Sequence, residues 1–163
     1  SVLDCTLGLG TDAIVASFII ENKGIVVGLE TSPCLAAITR YGFQNYSSDD
    51  PAITSSLRKI IVKNTDYYNY LLSLPDKKYD IVYFDPMFRQ PIYNSSNLKP
   101  LRFLANPNPV SPAALHEACR VAKKRVVIKE TYGSNEFTRL GITQILGGKY
   151  SSIQYGIVNL EGR

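Results

Sequence analysis

Histidine occurs once in this chain of 163 residues, at His116, and cysteine three times, at Cys5, Cys34 and Cys119. The cysteines are widely spaced and none belongs to a CxxC pair, so a structural zinc site is not expected and they read as reduced thiols of an intracellular protein. With a single histidine, Ser-His-Asp or Cys-His catalysis would rest on His116 alone. That residue falls inside an expected helix, where a surface or packing role is the simpler reading. Also missing are an apolar run near the ~20 residues that span a bilayer and a basic segment leading into a signal-like apolar stretch. No membrane association is expected, and a cytoplasmic location follows as the default. The charge excess is small: 18 Lys and Arg against 14 Asp and Glu give a formal net charge of +4, which permits a polyanionic partner without requiring one. What is present is an ordinary globular composition, 45% hydrophobic and 20% charged, which argues against long disordered tails. The length suits one domain over residues 1–163.

The most informative stretch is YDIVYFDPMF, residues 79–88. Its first six residues read as a buried strand, and the DPMF that follows reads as a rigid rim. Pro86 has a fixed φ and no N–H, so Asp85 and Phe88 are presented from a defined position at the strand's carboxyl end. Open α/β sheets bind ligands at such ends. An acid beside an aromatic suits an exocyclic amine, whose hydrogens it accepts while the ring stacks on the base. Taken alone, Asp-Pro is equally a strand that stops at a turn.

The preceding chain supplies neighbours for that rim. It opens at once on a strand, SVLDCT, from which we expect an N-terminal segment ahead of it that contributes to the substrate surface. GLGTDA follows, and then a helix from Thr11 or Asp12 to about Ile20, with Ile14, Phe18 and Ala13 as the inward stripe and Gly24 as its end. Strand, glycines and helix are the grammar of a phosphate or cofactor site, because Gly8 and Gly10 let the backbone approach a ligand and the helix start leaves N–H groups free. A second strand, IVVGLE, ends on Glu30, about twenty residues after Gly10, the spacing at which dinucleotide folds place a ribose-binding acid. Helices are expected at 32–43, opened by Pro33, at 52–58 and at 67–74, with a third strand at 59–63. Asp66, just past that strand, is either a further site acid or a helix cap.

Residues 89–112 hold several prolines with scattered basic and aromatic groups. A loop of that length is expected to recognise substrate, with Arg89, Lys99 and Arg102 meeting phosphates and Tyr93 or Phe103 packing on a base. A proline-rich loop facing only water is the alternative. Ser111 caps a helix to about Lys123, and RVVIKE is a fifth parallel strand that carries Lys129 and Glu130 to the same edge as Glu30 and Asp85. After a short helix at 133–140, strands at 142–146 and 152–159 form a terminal hairpin that adds an antiparallel edge. Repeated strand-helix units imply a mostly parallel sheet with helices on both faces.

Asp4 with Gly8 and Gly10, Glu30 after the second strand, Asp66 after the third and DPMF after the fourth resemble a class I S-adenosylmethionine-dependent methyltransferase over essentially the whole chain. That resemblance implies a Rossmann-like seven-stranded sheet with a reversed terminal hairpin. DPMF is similar to the Asp/Asn-Pro-Pro-Tyr/Phe motif of enzymes that methylate exocyclic amines of nucleobases, with Met87 in place of the second proline. LDCTLGLGTDA, DPMF with its long loop, and RVVIKE together resemble the bacterial methyltransferases that modify the N2 amine of a guanine in small-subunit ribosomal RNA, and their uncharacterised RNA-methylase relatives.

The resemblance implies S-adenosyl-L-methionine as cofactor, held by Asp4, Thr6, Gly8, Leu9, Gly10, Asp12, Glu30, Thr31 and Asp66. In it Asp4, Gly8 and Gly10 bind the amino acid end, Glu30 the ribose and Asp66 the adenine amine. Asp85, the Pro86 carbonyl and Phe88 are then catalytic. Met87, Arg89, Tyr93, Lys99, Arg102, Phe103 and Lys129 bind substrate. No metal is required, and the implied partner is RNA, ribosomal RNA or a small ribosomal subunit, with the oligomeric state open and a homodimer one option. Three other readings share parts of this pattern. A nicotinamide-dependent oxidoreductase shares GLGTDA and Glu30, a methyltransferase of small molecules or proteins shares everything up to the acceptor, and a non-catalytic RNA-binding module shares the basic loop.

Overall fold

A computed structural model of the chain describes residues 1–21, 23–86, 108–148 and 150–161. Five strands alternate with helices in the order β1 (Val2–Asp4), α1 (Thr11–Ile20), β2 (Val26–Glu30), α2 (Pro33–Asn45), α3 (Pro51–Arg58), β3 (Ile60–Asn64), α4 (Tyr67–Leu72), β4 (Tyr79–Phe84), α5 (Pro112–Val121) and β5 (Ala122–Thr131). The chain then adds α6 (Glu136–Arg139), β6 (Gln144–Leu146) and β7 (Ile153–Asn159). Local chemistry explains the helix starts. Proline occupies the first turn of α2, α3 and α5, where its missing N–H costs nothing, and Ser32, Asp50, Asp66 and Ser111 each accept a hydrogen bond from a first-turn amide.

The strands form one seven-stranded sheet in the order β3-β2-β1-β4-β5-β7-β6. Strands β1 to β5 are parallel, and β7 runs antiparallel to both β5 and β6. The expected α/β architecture with a terminal hairpin is therefore present. The hairpin is the reversed one that the resemblance implies: the second strand, β7, lies inside against β5, and the first, β6, is the outer strand. The chain leaves β1 toward β2 on one side and returns to β4 on the other, so the carboxyl ends of β1 and β4 flank a topological switch point, where crevices open in such sheets.

Period-2 alternation divides the core between the two faces. Leu3, Leu29, Val82, Phe84, Val126 and Ile128 pack on one side, beneath Leu71 of α4 and Ala114, Ala118 and Val121 of α5. On the other, Leu7, Val26 and Ile60 pack with Ala13 of α1, Phe43 of α2 and Leu57 of α3. The α1 stripe differs from expectation. Ala13 and Ser17 are its buried positions, Ile14 is partly buried and Phe18 is 45% exposed. Small residues let α1 lie against α3, where the Ser17 hydroxyl donates to the Ser56 carbonyl at 2.8 Å, and a phenyl ring at that place would hold the helices apart. The helix stops at Ile20 with Glu21 at φ 54°, three residues before Gly24, because the chain turns there to enter β2. The helices expected at 67–74 and 133–140 are shorter than the sequence pattern suggests. Among the described residues, no helix is long and apolar enough to cross a membrane.

Candidate active site

Past β1 the chain stays bonded to both neighbours before it turns: the Cys5 amide donates to Tyr83 and the Leu7 amide to Leu29, each at 2.9 Å. The turn closes with Gly10 N–H on the Leu7 carbonyl at 2.7 Å, and Gly8 and Gly10 sit at φ 54° and 80°. Gly10 is doubly constrained. Its φ lies in the left-handed region, and a Cβ there would come within 2.2 Å of Phe43 Cζ. The Thr39 hydroxyl on α2 donates to the Gly8 carbonyl at 2.7 Å and pins the turn from the far side.

Glu30, at the end of β2, is 7% exposed. Its Oε2 accepts the Gly8 amide at 3.0 Å and its Oε1 the Ser32 amide at 2.8 Å, so the backbone fixes both oxygens. A carboxylate has about four acceptor positions, and two remain for a diol. The Asn64 side chain holds the following strand exit by donating to the carbonyls of Glu30 and Thr31, at 2.8 and 3.0 Å. Asp66 caps α4 through the Asn69 amide at 3.0 Å, so the cap alternative describes its observed bond. Leu9 is 44% exposed on the turn.

Asp4 is 2% exposed, and its only described donor is the Thr6 amide, at 3.0 Å. Burial pushes its carboxyl up to about 7; the Thr6 amide opposes this and the nearby Asp12 and Asp85 add to it. A buried carboxyl so poised at a glycine turn suits a cationic ligand.

Asp85 leaves β4 with its amide donating to Thr6 Oγ1 at 2.6 Å, which ties the rim to the β1 turn. Pro86 is buried. On β5, Lys129 points to the same face as Asp4 and Tyr83, and its Nζ lies 2.9 Å from both Asp12 Oδ2 and Asp85 Oδ2. The Tyr83 hydroxyl donates to the same Asp12 oxygen at 2.7 Å. Burial works against charge throughout this cluster, yet Lys129 is held above its ordinary value by its two carboxylates, and Asp12 below its own by Lys129 and Tyr83. Asp85 is pushed up to about 6, by burial first and by Asp12, against the pull of Lys129. The Tyr83 phenol is raised by burial and by Asp12. Asp12 and Asp85 lie close enough that the protonation of one affects the other, with one carboxylate low and the other high.

The structure thus gathers Asp4, Thr6, Gly8, Gly10, Asp12, Asp85 and Lys129 around the ends of β1, β4 and β5, with Glu30 and Thr31 at β2 and Asp66 beyond β3. Met87, Phe88, Arg89, Tyr93, Lys99, Arg102 and Phe103 lie outside the described residues. So does most of the expected recognition loop, although its last residues depart from that expectation: Val110 is 1% exposed in the core and α5 starts at Pro112. His116 is exposed on α5. Among the described residues, no group of three or more His, Cys, Asp and Glu is arranged to hold a metal ion. Sequence reasoning missed Tyr83 and Thr39. Alternation with buried Val82 and Phe84 places Tyr83 on the Asp4 face, and Thr39 stands in helical register between buried Leu35 and Phe43, so both had a periodic signal.

Below this edge an apolar groove of about 270 Å³ runs between α1 and the sheet, lined by Val15, Ile81, Val127 and Tyr155 and reaching Asp4 and Tyr83.

The model of a family described as "Putative SAM-dependent methyltransferase" matches residues 1–149. The uncharacterized protein YpiP of Bacillus subtilis is 38% identical over 156 residues, covering 96% of this chain and 60% of that protein. Ribosomal RNA small subunit methyltransferase J of Buchnera aphidicola is 32% identical over 153 residues, 92% of this chain and 60% of its own length. The protein of the same name from Coxiella burnetii is 34% identical over 141 residues, 83% of this chain and 52% of its own length. The chain therefore spans about 60% or less of these curated relatives. Among solved structures, a SAM-dependent methyltransferase from Neisseria gonorrhoeae superposes with TM-score 0.71 at 22% identity, covering 100% of this chain and 62% of that one. Another from Aquifex aeolicus gives 0.59 at 18% identity, covering 96% and 80%. At such identities the two structures speak to the fold.

Proposed function

This chain belongs to the SAM-dependent methyltransferase family, and we propose that it transfers the methyl group of S-adenosylmethionine to an exocyclic amine of a nucleobase, guanine N2 in ribosomal RNA being the foremost candidate. The observation that carries the reading is the placement of Asp85 and Pro86 at the end of β4, bonded through Thr6 to the glycine turn of β1. The names of the relatives from Buchnera and Coxiella, which state a ribosomal RNA small subunit methyltransferase, support the acceptor class.

The donor set fits the cofactor: a nearly inaccessible carboxyl at Asp4, a backbone-held carboxylate at Glu30 and a glycine turn between them. Bound there, S-adenosylmethionine supplies an electrophilic methyl on a sulfonium sulfur. Asp4 pairs with the ammonium of its amino acid end, Gly8 and Gly10 admit close backbone approach, and Glu30 accepts both ribose hydroxyls with its remaining lone pairs. Thr6, Leu9, Asp12 and Thr31 complete that wall, and Asp66 accepts the adenine amine in addition to capping α4. At the rim, Asp85 and the Pro86 carbonyl accept hydrogens of the target amine, which turns its lone pair toward the methyl. Transfer would break the S–CH3 bond and leave the neutral thioether S-adenosylhomocysteine, and the nitrogen that gained the methyl would release one proton, which Asp85 is placed to take. Phe88 stacks on the base, while Met87, Arg89, Tyr93, Lys99, Arg102 and Phe103 serve the RNA. The protein's contribution is alignment and electrostatics. A paired acceptor must first leave its stack.

Incubation with labelled cofactor and bulk cellular RNA, followed by nucleoside mass analysis, tests this. N2-methylguanosine is the expected product; label in protein or small molecules and none in RNA would overturn the acceptor class.

A further inference from the structure

Among the described residues, Lys129 is the one cation that touches both halves of the site, and a phosphate-binding lysine would not be spent on two carboxylates. Its Nζ is 2.9 Å from Asp12 Oδ2 on α1 and 2.9 Å from Asp85 Oδ2 after β4, and its side chain is 18% exposed. Each of these distances is that of a charge-assisted hydrogen bond. Asp12 is itself held in place by the Tyr83 hydroxyl, and the Asp85 backbone by Thr6. The Lys129–Asp85 contact joins residues 44 apart and the Lys129–Asp12 contact residues 117 apart, so the network crosses three elements.

The geometry points to Lys129 as a positioning residue for the transfer: anchored on Asp12, its ammonium grips Asp85 through one oxygen and so orients the other for the acceptor amine. The inference rests on the proposed reaction and assigns Lys129 to the rim instead of to the RNA. A carboxylate held through one oxygen retains the lone pairs of the other, and a fixed acceptor direction is what an amine with two hydrogens and one reacting lone pair requires. Lys129 also keeps two neighbouring carboxylates compatible. Without it, Asp85 would face Asp12 on α1 and Asp4 on β1 with no cation among the described residues, and Glu130, also on β5, would add to the same field.

Opposite shifts in two variants test this. Asp85 takes the proton released by the amine only in its ionised form, so activity is expected to fall as pH drops through its carboxyl pKa, which burial pushes up to about 6. In Lys129→Met the ammonium is gone and the Asp85 carboxyl rises; the acid limb of kcat/KM is expected to move up by ~1–2 pH units, with Lys129→Arg restoring most of it. In Asp12→Asn a like charge is gone and Lys129 serves Asp85 alone, so the limb is expected to move down. The same two shifts should appear in a carbon-13 carboxyl titration of the free protein, which needs no substrate, and far-UV circular dichroism with thermal unfolding checks that each variant is folded. An Asp85 titration unmoved by Lys129→Met overturns the inference. So does a loss confined to the KM for RNA that grows with salt, which would make Lys129 a phosphate contact. A wild type that methylates no RNA overturns the proposed reaction, and the carboxyl titration alone then decides whether Lys129 governs Asp85.

Discussion

Glu30 and Asp85 end strands on either side of β1, and both present a carboxylate to one sheet edge, but they are held by different means. Backbone amides of Gly8 and Ser32 grip Glu30, and the residue is 7% exposed. A side-chain ammonium grips Asp85, whose side chain is 28% exposed. Amides of a closed turn neither titrate nor swing away, so the position of Glu30 is set by the fold itself. The β4–β5 side depends on the charge of three interacting groups and responds to pH. Under the proposed reaction, a site that recognises one constant molecule and acts on a second gains from that division.

Four perturbations break or sharpen the contrast, in decreasing order of effect. Asp85→Ala should reduce methyl transfer by ~10²–10³-fold while leaving cofactor affinity largely intact, as read by single-turnover assay beside calorimetry. Equal losses in both would move Asp85 to the cofactor side. Glu30→Ala should show the reverse pattern, with S-adenosylmethionine affinity down by ~10–100-fold, since hydrogen bonds to a buried charge are lost, and the Asp85 titration unmoved. An unchanged affinity would remove Glu30 from the ribose.

The third perturbation is pH. Asp4 has its folded carboxyl at about 7 against an ordinary value of 3.8, so the folded chain keeps a proton that the unfolded chain releases. Its contribution to apoprotein stability is therefore present below about pH 4 and is lost as pH rises toward 7. A bound ammonium favours the ionised form, so cofactor binding should strengthen from pH 6 to 8 and release part of a proton near pH 7. Calorimetry in buffers of different ionisation enthalpy measures this, and Asp4→Asn should abolish the release. The smallest effect belongs to a residue outside both halves. Ser111 caps α5 through the Ala114 amide at 3.0 Å, and Ser111→Ala should cost about 1 kcal/mol in denaturant unfolding without altering binding or transfer.

Much of this was legible along the chain. The strand at 79–84, the glycine turn, the first-turn proline of α2 and the cap at Ser111 all follow from local rules of turn chemistry and periodicity, and the structure places elements there within a few residues. The α1 stripe was misread because hydrophobicity ranks Phe18 above Ser17, whereas the close α1–α3 approach selects the smaller side chain. Lys129 was legible as a residue at the right edge and illegible as a partner of two acids.

The sequence alone determined the element order and which residues stand at strand ends, because capping, turns and period-2 burial depend on neighbours a few positions away. Only the tertiary structure decided that Phe43 closes over Gly10 and that Asp12, Asp85 and Lys129 meet. The reason is physical. Such contacts and the charge state of a buried group depend on what is adjacent in space, and Asp4, unremarkable as a letter, is raised by burial and by acids brought to it from α1 and β4.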